Sequence, residues 1–461
     1  MERDSEPLLS NRCPKGGLKT LPFIIANEAF ERVASFGLSP NMIFYLKTRY
    51  NMETTTATNL ILFWNAATSM LPVVGAIVAD SYVGRYPMIG FGSIASLLGM
   101  ILLWLTTLFP ESTKPTTYQF MLLYASFGFM TIGAGGIRAS SMAFGADQVI
   151  NTGDNNLKKS GQLQSYFGWF LNKACIIRNP EQDLTPDGKA TNPWSLCTID
   201  QVEELKALIK VIPIWSTGII FFINVSQGTL GALQAKTMDR HITRNFEIPA
   251  GSLGLFLILT LTLWIALYDR VIIPVASKIR GKPSHLSTKL RMGIGILFTS
   301  LSMASWAIVE SIRRQRAINE GFSDEPEAVV DISAMWLLPH LVMDGLAEAF
   351  YGVAVNEFFY TELPKTMSSI AVNLMGVGMS VANMAASAIL SAVDCVSRIG
   401  GKESWVSNNI NKGHYDYYFW FLAGLFMVNF IYYLGCSKFY GPCKCKVNNV
   451  FNGGNSSREG D

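Results

Sequence analysis

Two clusters of ionisable residues sit inside stretches of sequence that are otherwise built from apolar residues. The first is in "LPFIIANEAFERVASFGLSPNMIFYL", where Glu28, Glu31 and Arg32 stand at i, i+3 and i+4. In a helix that spacing places the three on one face. Charges inside a membrane-length segment face a bundle interior or a wet cavity, and commonly mark an ion or proton path. A base beside two carboxylates favours their ionised form, whereas burial favours the protonated form. That competition suits a carboxyl group that must take up and release a proton. The alternative for the same residues is a static ionic cluster that pins the helix. The second cluster is His340, Asp344 and Glu348, which recur every four residues and draw a polar stripe along an apolar helix. Such a stripe is expected to face a central cavity; for His340, a hydrogen bond to a neighbour is an equal alternative.

The elements that must carry these groups follow from composition. Of 461 residues, 49% are hydrophobic, 12% aromatic and only 15% charged, and the mean hydropathy is +0.27. A soluble protein carries about 25% charge, so the chain reads as a polytopic membrane protein. A net charge of +3 offers no nucleic-acid surface. The seven cysteines form no paired framework. No metal-ligand constellation, catalytic nucleophile or Walker A motif stands out, so neither an enzyme nor an ATP-driven pump is expected, and no cofactor is implied.

Apolar runs long enough to cross a hydrocarbon core of about 30 Å fall at 21–46, 57–79, 87–109, 118–146, 205–227, 250–277, 290–312, 332–360, 367–394 and 416–438. Helices are the expected form, because each must satisfy its own backbone in lipid. The expected architecture is all-α: a cytoplasmic tail (1–20), a four-span N-terminal bundle (21–146), a polar cytoplasmic linker (147–204), a six-span C-terminal bundle (205–438) and a cytoplasmic tail (439–461). The Lys/Arg bias places both termini in the cytoplasm, with the dense loop "SKIRGKPSHLSTKLR" inside and "RRQR" at 313–316 on the opposite side. Asp269-Arg270 reads as a structural pair at a helix end. Cys436, Cys443 and Cys445 lie where palmitoylation is conceivable. Asn224-Val-Ser is a glycosylation sequon inside a span, and so silent. Asp4-x-x-x-Leu8-Leu9 fits a dileucine sorting signal that would allow the vacuolar membrane in place of the plasma membrane.

Several of these stretches resemble one family. Glu28-x-x-Glu31-Arg32 is similar to the ExxER motif in the first span of the proton-dependent oligopeptide transporters, in plants the nitrate/peptide transporter family, which belong to the major facilitator superfamily. "GAIVADSYVGR" at 75–85, "GAGGIRASSMAFGADQ" at 133–148, "IPIWSTGIIFFINVSQ" at 212–227 and "AEAFYGVAVNEFFYTELPKTMSSIA" at 347–371 resemble further segments of that family. "NINKGHYDYYFW" resembles a plant subgroup. The resemblance implies proton handling by Glu28, Glu31 and Arg32, with Arg138 in the place of a Lys that pairs with the motif in many members. Arg holds its charge more firmly than Lys, which favours partner switching over neutralisation of the base; a helix cap at a Gly-rich bend is the alternative role for Arg138. It further implies a conformational clamp at Asp80, Gly84 and Arg85, and a substrate cavity lined by Glu348; Asp344 and His340, on the same stripe, are expected to face that cavity from their spacing alone. Val225 aligns where a nitrate-carrying relative has a His.

Family members have twelve spans and this chain has ten. "SYFGW" at 165–169 reads as the stub of span 5, after which the text jumps to "FLNKACIIRNPEQDLTPDG", as though spans 5 and 6 were absent. Losing two spans preserves the orientation of every later helix. The function expected is proton-coupled symport of a small solute, with nitrate, peptides and anionic plant hormones as candidates, put in question by the shortened bundle. The alternative is a non-transporting form that associates with full-length relatives and modulates them.

Overall fold

The computed structural model describes residues 21–109, 115–150, 197–281, 286–364 and 367–440. The 1–20 tail with its dileucine pattern, most of the 147–204 linker with the 165–169 stub, and the C-terminal tail with Cys443 and Cys445 lie outside the described residues.

The described chain is a bundle of helices. Four form the N-terminal half: α1 (Leu21–Arg49), α2 (Thr54–Val78), α3 (Arg85–Thr107) and α4 (Thr117–Ile150). Eight segments form the C-terminal half: α5 (Ile199–Val225), α6 (Gly228–Lys236), α7 (Leu255–Leu267), α8 (Ile273–Arg280), α9 (Thr288–Asn319), α10 (Leu338–Glu362), α11 (Ser368–Ser397) and α12 (Tyr415–Tyr440). The segments α5 and α6 together make one span, as do α7 and α8, which are joined by a π-helical turn at Tyr268–Ile272. All ten expected spans are therefore helical. Among the described residues, eight are long and apolar enough to cross a membrane. The two that fall short are α1 and α10, the helices that carry the two ionisable clusters. The chain is a multi-pass membrane protein.

Sequence signals set the helix ends. Thr198 caps α5 in a reciprocal box with Gln201, and Ser287 accepts from Leu290 N at the start of α9. Some expectations are corrected. Helix α4 continues to Ile150 and α5 begins at Ile199, so both enter the expected linker. Asp269-Arg270 sits in the π turn with α8 still to follow, not at a helix end. Helix α9 runs through "RRQR" to Asn319. Four short strands interrupt the all-α pattern: β1 (Met238–Asp239) pairs with β4 (Val330–Ser333), and β2 (His241–Thr243) with β3 (Phe246–Glu247).

The halves are packed by different residues. In the N-terminal half, α3 lies against α4 at small-residue positions. A Cβ on Gly92 would meet Gly133 O at 2.8 Å, and one on Gly133 would meet Ser96 N at 2.6 Å. Such contacts let membrane helices approach closely enough for dispersion to hold them together. In the C-terminal half, large rings fill the core: Trp306, Tyr351, Phe358, Phe359, Tyr418 and Phe419 are fully buried. The halves meet where α2 packs along α11. Asn59 donates to Ser391 Oγ at 2.9 Å and accepts from Ser387 Oγ at 2.8 Å. Thr54 N donates to Asn408 Oδ1 at 2.5 Å, and Arg398 lies 3.6 Å from Glu53.

Candidate functional site

Helix α1 presents its ionisable residues in two directions. Glu28 and Arg32 form an i,i+4 pair at 3.6 Å on the more exposed flank. Glu31, one turn on from Glu28, points toward α4, where Arg138 takes its carboxylate with two hydrogen bonds: Nε to Oε2 at 3.0 Å and Nη2 to Oε1 at 2.7 Å. This fork-on-carboxylate geometry is the strongest form of the pair. Ser35 donates to Glu31 Oε1 at 2.9 Å, and Arg138 Nη2 lies 3.4 Å from Ser35 Oγ. Arg138 is thus an interhelical partner of the motif, not a helix cap.

Glu31 lines an open-sided cavity of about 180 Å³ between α1, α2, α3 and α4. Its wall carries Asn27, Ser35, Trp64, Thr68, Ser93 and Ser96 among apolar side chains. Asn27 Nδ2 and Trp64 Nε1 are buried with no hydrogen-bond partner among the described residues, although the Trp64 ring is fixed by stacking on Phe127 with centroids 4.7 Å apart. Unpaired buried donors are costly, and neither atom has surface that a guest in the cavity reaches. Neither Asn27 nor Trp64 was expected from the sequence; each is an ordinary polar or aromatic residue on an apolar face until the fold turns it inward.

On α10 the stripe divides in two. His340 and Asp344 are buried, with Nε2 and Oδ2 3.5 Å apart. Ser302 Oγ on α9 lies 2.7 Å from His340 Nδ1, and Asn224 Nδ2 on α5 donates to Asp344 Oδ1 at 2.8 Å. Trp306 stacks on the imidazole with centroids 4.3 Å apart. Asn224 was legible only as a silent sequon, and Ser302 and Trp306 carried no signal. One turn further, Glu348 is only partly buried and forms no hydrogen bond or ion pair with another described residue, the disposition of a carboxylate open to a ligand. Val225, at the end of α5, is 37% exposed.

Asp80, Gly84 and Arg85 gather at the α2–α3 turn. Arg85 Nε donates to Asp80 Oδ1 at 2.9 Å. Gly84 turns the chain at φ 87°, a conformation that a side chain disfavours. The turn closes with Gly84 N on Ala79 O at 2.9 Å.

A further ionic cluster escaped sequence reasoning. Glu310 and Arg313 on α9 are fully buried and doubly hydrogen-bonded, Nε to Oε2 at 2.8 Å and Nη2 to Oε1 at 2.7 Å. Arg313 also reaches Asn411 Oδ1 at 2.7 Å, Thr237 Oγ1 at 3.2 Å and Ile410 O at 3.2 Å. Gln234 Nε2 completes Glu310 at 2.6 Å. Its i,i+3 spacing was a usable signal.

Known proteins share the sequence and the fold of this chain. The sequence profile described as the POT family matches residues 179–406. Protein NRT1/PTR FAMILY 1.2 of Arabidopsis thaliana is 44% identical, over 94% of this chain and 91% of its own length. NRT1/PTR FAMILY 1.3 of the same plant is 41% identical, over 95% of this chain and 99% of its own. The alignment with the first extends over 557 positions, more than the 461 residues of this chain, and so opens gaps in it. Among solved structures, an auto-inhibited POT family peptide transporter superposes with a TM-score of 0.65 at 15% identity, covering 95% of this chain and 99% of its own. A POT family transporter in complex with 5-aminolevulinic acid gives 0.58 at 15% identity, covering 93% and 98%. These structures share the fold; the sequence relatives establish membership, and the chain belongs to the POT family of membrane transporters, alongside the NRT1/PTR proteins of plants.

Proposed function

We propose that the chain is a proton-coupled symporter of a small solute, with the proton carried by Glu31. The observation that supports this most is the Glu31–Arg138 pair, which joins two helices and borders a cavity instead of a sealed core. A guanidinium keeps its charge. When Glu31 takes a proton, Arg138 is left without its counter-ion and becomes a site for an anion. When the anion leaves, the carboxylate reclaims the arginine and the proton is released. That exchange couples one proton to one anionic group, and it favours nitrate, the carboxylate of a peptide or an anionic plant hormone as solute. Glu28 and Arg32 tune the field around the pair.

In this reading Glu348 faces the solute from the six-helix half, Val225 supplies apolar wall, and His340 and Asp344 support α10 from behind. The Asp80–Arg85 turn acts as a clamp at the cytoplasmic face while the two halves rock about the α2–α11 seam. The plasma membrane is the proposed site of action, with the vacuolar membrane as the alternative address. Uptake in oocytes tests the proposal. Acid-stimulated uptake of nitrate, a dipeptide or a hormone acid supports it; surface-expressed protein giving neither current nor accumulation with any of them overturns it.

A second reading draws on the four N-terminal helices among the described residues and the gapped alignment. In it the chain pairs with a full-length relative and dampens its transport. Co-expression and affinity purification of the two would show a complex, and its absence would dismiss this reading.

A further inference from the structure

The His340–Asp344 pair on α10 is enclosed on every side by named groups. Ser302 of α9 holds His340 Nδ1 at 2.7 Å and the His340 carbonyl at 3.1 Å. Asn224 of α5 donates to Asp344 Oδ1 at 2.8 Å. Trp306 covers one face of the imidazole, and Phe419 of α12 stacks behind Trp306 with centroids 4.0 Å apart. Thr260 of α7 packs against the α10 backbone at Gly345, where an added Cβ would meet its side chain at 2.8 Å. The charged neighbours are few. Glu348 lies one turn along the same helix. The Glu310–Arg313 pair is reached only through Gln234, which bonds both Trp306 Nε1 and Glu310, and that pair is already neutral as a unit. Among the described residues, His340 is the one side chain able to carry positive charge that pairs with Asp344.

Charge bookkeeping then fixes the state of the pair. With no proton between Nε2 and Oδ2, a lone carboxylate is buried; with one on each, a lone imidazolium is buried. Both states are expensive in an apolar interior. One proton makes the unit neutral, as imidazolium with carboxylate or imidazole with carboxylic acid. Ser302 Oγ has a single hydrogen: with it on the His340 carbonyl, Nδ1–H donates to Ser302 Oγ, and Nε2 is the nitrogen that gains or loses the proton. In that arrangement the exchangeable proton is held by His340 Nε2 or by the Asp344 carboxylate, 3.5 Å apart.

We propose that His340 and Asp344 form a second proton-binding site, in the six-helix half, separate from Glu31. Asn224 gates it, since movement of α5 away from α10 removes the hydrogen bond on Oδ1 and opens the carboxylate to water. The site goes beyond the transport reading above and does not depend on it: it binds its proton whether or not solute is carried.

Trp306 is a built-in reporter, because an imidazolium against an indole face interacts with the ring and quenches its emission. The experiment is a tryptophan-emission titration of the full chain in lipid nanodiscs from about pH 5 to pH 8, the window in which histidines titrate, without solute. Wild-type protein should show a pH-dependent loss of emission that His340→Gln lacks. Trp306→Phe should remove the same component, locating it. Asp344→Asn should abolish it within the window, and Glu31→Gln should leave it in place. Superimposable wild-type and His340→Gln curves, in proteins that elute as the same monodisperse species, overturn the proposal. A titrating pair in a chain that transports nothing would instead overturn the symporter reading and leave this one standing.

Discussion

The molecule contains two doubly hydrogen-bonded Glu–Arg pairs of similar geometry in opposite surroundings. Glu310–Arg313 joins residues of one helix, both with no exposed side-chain surface, and every direction around Arg313 is filled by Asn411, Thr237 and the Ile410 carbonyl. Glu31–Arg138 joins two helices, retains 7% and 15% side-chain exposure, and has a cavity with unpaired donors beside it. The first is a fastening: opening it leaves a buried charge with nowhere to go. The second, in the transport cycle proposed above, opens as a proton reaches the acid and a guest reaches the base. The two pairs share their bond lengths and differ in the space next to them.

Substitutions that remove one partner from each pair should respond in opposite ways. Arg313→Leu should lower stability by about 3–5 kcal/mol, the usual cost of orphaning one member of a buried pair. Denaturant or thermal unfolding in detergent reads this, and adding Glu310→Leu should restore much of the loss. Arg138→Leu should cost less, about 1–3 kcal/mol, as for an unsatisfied group that water can still approach, while abolishing proton-driven uptake. Equal destabilisation by the two would erase the distinction. Asp80→Ala should cost no more than about 1 kcal/mol, as for an exposed pair, and its effect should fall on uptake rate and not on the melting curve.

The smallest expected effect is at the outer end of the Arg313 cluster. His414 lies just before α12, where Arg314 donates to its Nε2 side at 3.2 Å and to Gly413 O at 2.7 Å. Burial first, then the Arg314 charge, hold the imidazole below its usual range, with Asp416 opposing them in part. The folded chain thus prefers the neutral ring. This contribution to stability is full above the ordinary histidine value of about 6.5 and is lost as pH falls through it toward the lower folded value. Melting temperatures measured across that range should decline more for wild type than for His414→Gln, with the curves merging at higher pH.

The sequence made the helices legible because lipid allows little else: long apolar runs and polar interruptions, though not the caps at Thr198 and Ser287 that start two of them earlier than expected. It also exposed Glu31 and Arg138, since charges in such runs are conspicuous. It concealed what depends on three-dimensional encounter. Helix α9 was expected to end before "RRQR", because a hydropathy window stops at charge, whereas Glu310 neutralises Arg313 and lets the helix continue. The short strands β1 and β4 come from segments 92 residues apart in register, Met238 with Val330, and two-residue pairings leave no alternation to read. Asn27, Trp64, Ser302 and Trp306 became site residues only through the faces they turn inward.

Reconstituted vesicles provide the most direct test of the claim that the cavity-side pair carries the coupled proton. With an inward proton gradient and labelled nitrate, dipeptide or hormone acid outside, wild-type chain should accumulate at least one of these solutes above the outside level and lose it when a protonophore is added. Glu31→Gln should bring the same solute only to equal levels on both sides. Gradient-driven accumulation that survives Glu31→Gln unchanged would contradict the account.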